Sequence, residues 1–409
     1  MRIAIIGGFS PDPYGEAHYT TQVSIALAKK FPNADIVVFA HKNNKKEDFE
    51  QVLHNLNIKR VTRPQNRFYA TVASLSLIYH LFKFKPSVVH LQGTHTPLYG
   101  GLFGEPITVV VMFLRLLKIP CIMTIHSTWF PSDLEKLWKQ RRLGAISKLL
   151  NYYYRANLYI LSKLLNRINL LCAGDKSPIP EIFARSYKLN QSAIHNEPHP
   201  CFFKPVSPQE QKEAKKRLGF HSFKIITSLG FVRADKGYHL ILECADYILS
   251  RHPDVVIIIA GQPRGSDADS YVSFLRELKE RSHNKDRVLL KFEYINDEEL
   301  EIYFKASDII VVPYLRSVGP SGPIHHAFGY GKPVIASAIG HNLGLEGVCR
   351  LFPAGDSFAL AQILDEWLSD PKQLEMYAKR SIEYARKHTW EILAQKYMEA
   401  YEHLISKAC

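Results

Sequence analysis

Two cations stand in one short turn of the C-terminal half of the chain. Arg233 and Lys236 lie within residues 229–237, between an apolar run and a helical pattern. An arginine can bind a phosphate with two parallel hydrogen bonds, a lysine adds a point charge, and a helix N-terminus adds a favourable dipole. Glycines at both ends of the turn, including Gly230, let the backbone approach a ligand closely. The pattern predicts a diphosphate site, and the alternative is a pair of ordinary surface cations.

A second loop carries the residues that favour a helix start. Ser321 is a predicted N-cap, Gly322 allows close approach, and Pro323 suits the first turn. The free N–H groups at such a start bind anions, and we expect them to face the same cleft as the two cations. His325 and His326 lie just inside this helix. Because no cysteine or carboxylate is near them in the sequence, they are not expected to bind a metal.

Candidate residues also follow apolar runs in the N-terminal half. A glycine loop that includes Gly15 precedes a helical pattern, but it does not form the G-x-G-x-x-G sequence of dinucleotide sites. His126 comes directly after the run at residues 121–125, where a histidine can hydrogen-bond a sugar hydroxyl or relay a proton. His95 is a weaker candidate of the same kind. The alternatives are an ordinary turn and structural histidines.

Short β-branched runs alternate with helical patterns along the whole chain, which predicts βαβ units and parallel sheets. Strands are predicted at residues 3–6, 36–39, 88–91, 121–125, 168–172, 225–228, 255–260, 288–292, 309–312 and 334–336. Helices are predicted at residues 238–250 and 297–306, and throughout the region from residue 357. Prolines at 198, 200, 205 and 208 predict an inter-domain linker. The predicted fold is α/β, with two Rossmann-like parallel-sheet domains facing a cleft and ligands beyond the carboxyl ends of the strands.

The positive charge is unevenly distributed. Residues 1–200 hold 25 lysines and arginines against 12 aspartates and glutamates, whereas residues 201–409 hold 27 of each, so the net charge of +13 lies in the first half. A basic surplus predicts an anionic partner: a membrane surface, a phosphorylated acceptor or a nucleic acid. No nucleic-acid-binding motif supports the last of these. The alternative is a solvated basic surface without a specific partner.

The cysteines and the apolar runs indicate where in the cell the protein is expected to lie. The six cysteines are scattered without a C-x-x-C pair, which is typical of a reducing cytoplasm rather than of a disulfide framework or a metal site. No signal-peptide pattern opens the chain, and the longest apolar stretch is interrupted by Arg115 and Lys118. Eight cations, interleaved with tryptophan and tyrosines, lie between Lys136 and Arg167. We expect this stretch to rest on the inner face of an anionic membrane, or else to pack on its own domain.

Four segments resemble those of the retaining glycosyltransferase family 4, which has the GT-B fold. They are residues 230–237, 306–314, 331–337 and 389–391. With the N-terminal glycine loop, the resemblance spans essentially the whole chain. It implies an acceptor-side domain at residues 1–200, a nucleotide-sugar donor domain at 209–385, and a terminal helix at 386–409 that packs back toward the N-terminal domain.

The resemblance also implies roles for the candidates. Arg233 and Lys236 would bind the donor diphosphate, His126 would contact the transferred sugar, and the loop at Gly15 would lie near donor and acceptor. Family members use two glutamates eight residues apart, whose positions are occupied here by Val318 and His326. The catalytic candidates are therefore His126, Arg233 and Lys236. The donor-binding candidates are Gly15, Gly230, Ser321, Gly322 and His326.

The activity implied is transfer of a sugar from a UDP- or GDP-sugar to an acceptor hydroxyl, with retention and without a metal or other cofactor. The acceptor is expected to be a lipid-linked or carbohydrate molecule, as in polysaccharide biosynthesis. The missing glutamates leave two alternatives open. One is a non-catalytic partner protein that keeps the fold but has lost donor turnover. The other is a sugar-nucleotide epimerase of the same fold, which would release its product without an acceptor.

Overall fold

The computed structural model describes residues 1–12, 15–42, 49–62, 69–93, 106–140 and 143–408. Its strands are β1 (Arg2–Ile6), β2 (Asp35–His41), β3 (Phe49–Leu53), β4 (Leu56–Thr62), β5 (Val88–Gly93), β6 (Cys121–Ile125), β7 (Arg167–Cys172), β8 (Ile194–Pro198), β9 (Lys224–Leu229), β10 (Val255–Ala260), β11 (Val288–Lys291), β12 (Ile309–Val312), β13 (Val334–Ser337) and β14 (Arg350–Phe352). Its α-helices are α1 (Gly15–Lys30), α2 (Tyr69–Phe84), α3 (Pro106–Leu116), α4 (Pro131–Gln140), α5 (Ser147–Leu164), α6 (Ile179–Tyr187), α7 (Pro208–Arg217), α8 (His239–Glu243), α9 (Ala245–Arg251), α10 (Ala268–Arg281), α11 (Asp297–Ala306), α12 (Gly322–Gly329), α13 (Ser357–Ser369), α14 (Pro371–Lys387) and α15 (Trp390–Ala408). None of the described helices is long and apolar enough to cross a membrane.

The first compact unit comprises Met1–Cys172, Pro178–Pro198 and Trp390–Cys409. Its sheet has the order β3-β4-β2-β1-β5-β6-β7-β8, and every neighbouring pair is parallel except the β3–β4 hairpin. The parallel α/β architecture predicted from the sequence is confirmed. Strands β3, β4 and β8 were not predicted, because their sequences mix polar and apolar residues and lack a continuous apolar run.

Two layers of helices cover this sheet. On one face α2, α3, α4 and α5 pack their apolar sides against the strands, in a core that includes Leu81, Val111, Leu158 and Met123. Helices α1 and α15 lie together against the other face. Because side chains alternate along a strand, Cys121, Met123 and Ile125 serve the first core, whereas Thr124 and His126 face α1 and α15.

The second unit comprises Ala173–Ser177 and His199–Thr389. Its sheet is parallel throughout, with the order β11-β10-β9-β12-β13-β14. The order reverses between β9 and β12, which makes the carboxyl ends of these two strands the expected ligand position. The helix predicted at residues 238–250 is interrupted at Cys244, and the short strand β14 was not predicted.

The bounds of the two units differ from those of the predicted domains. Residues 173–177 belong to the second unit because the carbonyl oxygen of Ala173 accepts hydrogen bonds from His325 Nε2 at 2.9 Å and from the Tyr384 hydroxyl at 2.6 Å. The segment after Pro198 is held in the same unit, since the backbone of Cys201 donates to His388 at 2.7 Å. The last proline of the predicted linker, Pro208, is the first residue of α7.

Candidate active site

The loops after β9 and β12 are joined to each other in the second unit. The backbone N–H of Leu315 donates to the carbonyl oxygen of Asp235 at 2.9 Å. Gly237 has a φ of +66°, and a Cβ atom there would lie 2.0 Å from the carbonyl oxygen of Pro313. A side chain at position 237 would therefore force the two loops apart. Glycine at position 237 therefore allows the close contact between the predicted diphosphate turn and the loop after β12.

Gly230 also has a conformational reason to be glycine. Its φ is +135°, a region that residues with a side chain avoid. A Cβ atom at this position would lie 3.3 Å from the Tyr238 hydroxyl and 3.6 Å from Pro323 Cγ. Gly230 thus lies beside the first turn of α12. The Tyr238 hydroxyl next to it is buried and has no hydrogen-bond partner among the described residues.

Arg233 is held by a carboxylate two residues away. Its Nε and one terminal nitrogen each donate to Asp235, both at 2.8 Å. A guanidinium has five N–H groups, so three remain for another acceptor while the pair fixes the plane of the group. The Arg233 side chain is 44% exposed, which leaves it accessible to a ligand. Asp235 therefore orients this cation without using all of its donors.

Lys236 lies over an aromatic ring from the neighbouring loop. Its Nζ is 3.6 Å from the centroid of the Tyr314 ring, which is a close cation–π contact. Tyr314 is buried, and its hydroxyl lies 3.5 Å from Ser321 Oγ at the start of α12. Tyr314 therefore contacts both the lysine of one loop and the N-cap residue of the next helix.

The start of α12 has the features of an anion-binding site. Ser321 is the N-cap, yet its side chain makes no capping hydrogen bond to the helix backbone. Gly322 follows, and a Cβ atom there would meet no atom within 4 Å. Neither backbone strain nor packing explains this glycine. The structure brings Gly230, Lys236, Ser321 and Gly322 together around Tyr314 and Pro323.

His326 lies on a different side of α12. It lies five positions after Ser321, which places the two positions about 140° apart around the helix axis. The His326 ring stacks on Phe304 of α11 with centroids 5.6 Å apart, and Phe202 lies 6.0 Å away. These contacts show that the His326 ring packs against aromatic side chains. Val318, at the other glutamate position, is half-buried and lies in the loop before α12.

Arg264 is a residue that the sequence reasoning did not single out. It follows β10, whose carboxyl end is next to that of β9, and its guanidinium lies 4.6 Å from the centroid of the Phe231 ring. Backbone hydrogen bonds join the two loops, from Val232 to Gln262 at 2.9 Å and from Arg264 to Val232 at 3.2 Å. The signal that would have found Arg264 is its position between Gly261 and Gly265, directly after a fully apolar strand.

His126 of the first unit is buried at the carboxyl end of β6. Its Nε2 lies 2.8 Å from Gln92 Oε1, and the Tyr19 ring packs edge-on at 4.6 Å. Burial lowers the pKa of His126 to about 3, so the ring is neutral near pH 7. Gly15 begins α1 one turn before Tyr19, on the same side of that helix, and a Cβ atom there would meet no atom within 4 Å.

The hydrogen bonds of Gln92 define the tautomer of His126. The Gln92 amide nitrogen lies 3.2 Å from His90 Nε2, and an amide nitrogen can only donate. His90 Nε2 is therefore an acceptor, and His90 Nδ1 donates to the Tyr401 hydroxyl at 2.6 Å. Gln92 Oε1 must then accept from His126, whose proton is on Nε2. The unprotonated Nδ1 of His126 is an acceptor.

This polar network reaches both helices of its layer. Thr124 Oγ1 lies 2.8 Å from His90 Nε2 and 3.1 Å from the Tyr397 hydroxyl, which in turn lies 3.1 Å from the Tyr19 hydroxyl. The side chains of Gln92 and the tyrosines of α15 were not predicted as part of the site. The spacing along the chain gives no signal for them. Tyr397 and Tyr401 lie more than 270 positions from Thr124 and His90, and Gln92 meets His126 only because β5 lies beside β6 in the sheet.

Glu16, at the start of α1, is a further residue of the first unit that was not predicted. It follows Gly15 in the first turn of α1 and is half-buried. Burial raises the pKa of its carboxyl to about 8, so it is largely protonated at neutral pH. A protonated carboxyl can donate a hydrogen bond as well as accept one.

The predicted membrane-binding stretch from Lys136 to Arg167 is only partly on the surface. Trp138 and Tyr154 lie in the core of the first unit, whereas Tyr152 and Tyr159 are exposed. The stretch therefore packs on its own domain through some of its aromatic residues and exposes others. Trp138 lies on the buried side of α4 and Tyr154 on the buried side of α5, whereas Tyr152 and Tyr159 lie on the outer side of α5. Residues 141 and 142, and the candidate His95, lie outside the described part of the chain.

Among the described residues, no three histidine, cysteine, aspartate or glutamate side chains form a group that could hold a metal ion. The five cysteines described are buried thiols. They act as small apolar residues of the cores.

Comparisons with known proteins agree with these features. The family described as "Glycosyl transferases group 1" matches residues 210–388, and "Glycosyltransferase Family 4" matches residues 15–173. D-inositol 3-phosphate glycosyltransferase of Corynebacterium urealyticum is 30% identical over 211 residues, which are 49% of this chain and 48% of that protein. The matched region thus spans about half the length of this relative.

Solved structures share the fold over the whole chain. Sucrose-phosphate synthase from Thermosynechococcus elongatus has a TM-score of 0.70 at 20% identity and covers 100% of both chains. HepE from Anabaena, solved in complex with UDP, has a TM-score of 0.73 at 15% identity and covers 98% of this chain and 100% of its own. Since the two family matches together account for most of the sequence, the chain belongs to glycosyltransferase family 4 and has the GT-B fold.

Proposed function

We propose that the chain transfers a sugar from a nucleotide-sugar donor to an acceptor hydroxyl with retention of the anomeric configuration. The observation that carries the proposal is the pair of loops after β9 and β12, which brings Lys236, Ser321 and Gly322 around the Tyr314 ring. A cation beside the N–H groups of a helix start is suited to a diphosphate. The open positions of Gly322 and Gly15 allow a ligand to approach the backbone.

The proposed reaction needs no protein nucleophile. The bond between the anomeric carbon and the diphosphate oxygen breaks, and the acceptor oxygen bonds to that carbon on the same face. The acceptor proton goes to the leaving diphosphate. Lys236, the remaining N–H groups of Arg233 and the start of α12 would stabilise the charge that builds on the diphosphate. These groups supply the positive charge, and we propose that no metal or other cofactor takes part.

His126 is proposed to contact the transferred sugar. Its Nε2–H is bonded to Gln92, so Nδ1 would accept a hydrogen bond from a sugar hydroxyl. The lowered pKa keeps this acceptor unprotonated across the physiological range. His126 would therefore orient the sugar as a neutral ring rather than stabilise charge.

The donor is proposed to be a UDP- or GDP-sugar. The HepE structure named above was solved with UDP, which favours testing UDP-sugars first. The glutamate positions of the family are occupied by Val318 and His326, and His326 stacks on Phe304. The ribose and the sugar must then be recognised by other groups. Arg264 and Glu16 are the first candidates, because Arg264 lies in the loop after β10 and Glu16 follows Gly15 at the start of α1.

The acceptor is proposed to be a lipid-linked or phosphorylated carbohydrate, at the cytoplasmic surface of a membrane. The relative from Corynebacterium is named for inositol 3-phosphate, a phosphorylated acceptor. The excess positive charge of this chain lies in residues 1–200, on the proposed acceptor side. An anionic acceptor would be attracted to that unit.

A non-catalytic role is the second candidate, because the chain lacks the two glutamates. Such a protein would keep the fold without donor turnover. A sugar-nucleotide epimerase is the third, and it would release a sugar product without any acceptor. Calorimetric titration with UDP, GDP and ADP separates the first of these from an enzyme, since a scaffold would bind none of them.

The deciding experiment is a screen of nucleotide sugars for thermal stabilisation, followed by assays of donor hydrolysis and transfer. Lys236→Ala should lower kcat/KM by about 100- to 1000-fold, as expected when a charge-stabilising group is removed. Lys212→Ala, which removes an exposed lysine of α7 in the same unit, is the matched control. Unchanged turnover in Lys236→Ala, with an unchanged Tm, would refute the assignment.

A further inference from the structure

Three neighbouring helices of the first unit present large apolar side chains to the outside. On α2 these are Leu75, Tyr79 and Phe82; on α3 they are Val109, Met112 and Leu116; on α5 they are Leu149, Tyr152 and Ile160. We call this set the outer apolar face. Each trio follows helical spacing and so forms a stripe along its helix. Leu116 is 82% exposed and Tyr152 is 73% exposed, so the described part of the chain does not cover these side chains.

The opposite sides of the same helices already form the core. Leu77 and Leu81 of α2, Val111 of α3, and Leu158 of α5 pack against the sheet. A surface helix of a globular protein normally carries polar residues on its outer side. These helices are apolar on both sides, and the outer stripes are therefore not explained by folding.

The three stripes lie next to one another. Helix α3 packs against α2 on one side and against α5 on the other, and all three cover the same face of the sheet. Contiguous apolar surface of this kind marks an interaction site, whereas scattered single residues do not. The outer apolar face is thus one surface contributed by three helices.

The charges on these three helices have a single sign. The sequences of α2, α3 and α5 contain no aspartate or glutamate. Exposed cations stand on these helices or directly after them: Lys83, Lys85, Arg115, Lys118, Lys148 and Lys163. Residues 51–174 hold 16 lysines and arginines but only 3 acidic residues, a difference that equals the net charge of +13 of the whole chain. The entire surplus of positive charge therefore belongs to the segment that builds this face.

We propose that the outer apolar face of α2, α3 and α5 is the surface by which the protein docks on an anionic lipid bilayer. Apolar and aromatic side chains would enter the boundary between headgroups and acyl chains, while the lysines and arginines would contact lipid phosphates. The complementary charge selects a bilayer over a second copy of the chain, because two such faces would repel each other. This surface differs from the stretch predicted from the sequence, since most of it comes from α2 and α3.

The inference extends the proposed function without depending on it. If the acceptor is lipid-linked, a bilayer against α2, α3 and α5 would hold that substrate at the first unit. Docking itself requires no donor, no acceptor and no turnover. Vesicle binding and glycosyl transfer can therefore fail separately.

The test is sedimentation of the full chain with vesicles. Vesicles of equal parts phosphatidylcholine and phosphatidylglycerol should carry the protein down at low salt, whereas pure phosphatidylcholine should bind it at least tenfold less. Raising the salt concentration should weaken binding, because it screens charges at a surface. Absence of binding to the anionic vesicles would overturn the proposal.

Two double variants test the two parts of the face. Leu149→Ser with Tyr152→Ser removes apolar contacts, and Lys148→Glu with Lys163→Glu reverses two charges. Each double variant should weaken vesicle binding by at least tenfold, since one cation near an anionic surface contributes roughly fivefold. All four side chains are exposed, so folding should be retained, as checked by an unchanged Tm.

Matched controls come from the second unit. Tyr294 and Phe358 are 71% and 70% exposed, and Tyr294→Ser with Phe358→Ser should leave vesicle binding unchanged. Lys212→Glu with Lys216→Glu, on α7, makes the same change of charge as the α5 variant. Equal losses in the controls and the face variants would overturn the proposal. A wild-type dimer in light scattering that Leu149→Ser with Tyr152→Ser converts to a monomer would instead assign the face to self-association.

Discussion

His126 donates from Nε2 to Gln92 Oε1 over 2.8 Å, and this hydrogen bond holds the ring proton on Nε2 and leaves Nδ1 as an acceptor. Gln92 is itself oriented by His90, with its amide nitrogen 3.2 Å from His90 Nε2. A buried glutamine therefore determines the chemical character of the candidate catalytic histidine. Neither residue acts alone, because each needs the other to satisfy a buried polar atom.

Replacing Gln92 tests this relationship through the pH dependence of activity. Gln92→Glu places a carboxylate beside His126, and we expect it to raise the pKa of the histidine from about 3 toward the neutral range. Protonated His126 has no acceptor at Nδ1. Activity of the variant should then fall as the pH drops through the raised pKa, whereas the wild type should show no such acid limb above about pH 4.

The companion variant removes the hydrogen bond without adding charge. Gln92→Leu should lower kcat by roughly tenfold to a hundredfold, because the ring is no longer held in one tautomer and orientation. Its pH profile should keep the wild-type shape. Identical profiles for Gln92→Glu and the wild type would show that His126 does not titrate in the reaction.

Asp235 is predicted to act on Arg233 rather than on the donor. In Asp235→Ala the guanidinium loses both of its 2.8 Å hydrogen bonds and is free to rotate. We expect kcat to fall by about tenfold, since positioned charges contribute most when they are preorganised. The Tm should change little, because a partly exposed ion pair contributes less than about 1 kcal/mol.

Asp235→Asn provides the control for charge. The amide keeps one acceptor for Arg233, so kcat should lie between those of the wild type and Asp235→Ala. Titration with UDP should give a Kd equal to or lower than that of the wild type, because a negative charge has been removed beside the diphosphate position. A lower affinity in Asp235→Asn would mean that Asp235 itself contacts the nucleotide.

His326 can be separated into a packing role and a binding role. His326→Phe should preserve the stack on Phe304, and therefore the Tm, while it removes both ring nitrogens. If His326 binds the donor, as predicted from the sequence, the Kd for the nucleotide should rise about fivefold, the effect of one lost hydrogen bond. An unchanged Kd would leave His326 as a packing residue.

Lys332 should make stability depend on pH in the alkaline range. Its Nζ donates to the carbonyl oxygen of Lys305 at 2.8 Å, and burial lowers the pKa of the amine to about 8. A lysine in the unfolded chain titrates near about 10.4. Between these values the unfolded chain binds more protons, so this group makes the free energy of unfolding rise as the pH increases.

Lys332→Met removes that contribution. The free energy of unfolding of the wild type minus that of the variant should increase from pH 8 to pH 10, by up to about 3 kcal/mol. Chemical denaturation at several pH values measures this difference and cancels the titration of other groups. Lys212→Met, at an exposed position, should give a difference that does not change with pH.

The sequence predicted most strands because a parallel sheet buried on both faces needs continuous apolar runs. The run at residues 255–260 is β10 and the run at 309–312 is β12, without any change of bounds. The runs also located Arg233, Lys236 and Ser321, since ligands of such sheets lie after the strands. Strands β3 and β4 escaped prediction because an edge hairpin is only partly covered and its sequence alternates irregularly.

Contacts between segments that are far apart in the chain could not be predicted from the sequence. The order of the strands places the ends of β9 and β12 side by side, so that Lys236 meets Tyr314. Gln92 reaches His126 for the same reason in the first unit. Periodicity also failed to separate Trp138 and Tyr154, which are buried, from Tyr152, which is exposed.

The sequence by itself determined the family, the parallel α/β class and the position of the diphosphate candidates, because these depend on local runs of residues and on the turns that follow them. The tertiary structure alone decided that Asp235 orients Arg233, that Gln92 sets the tautomer of His126, and that His326 stacks on Phe304. It also decided that three helices share one apolar outer face. Local patterns depend only on residues that are neighbours in the chain. The contacts between distant residues depend on the order of the strands and on which side of each helix the sheet covers.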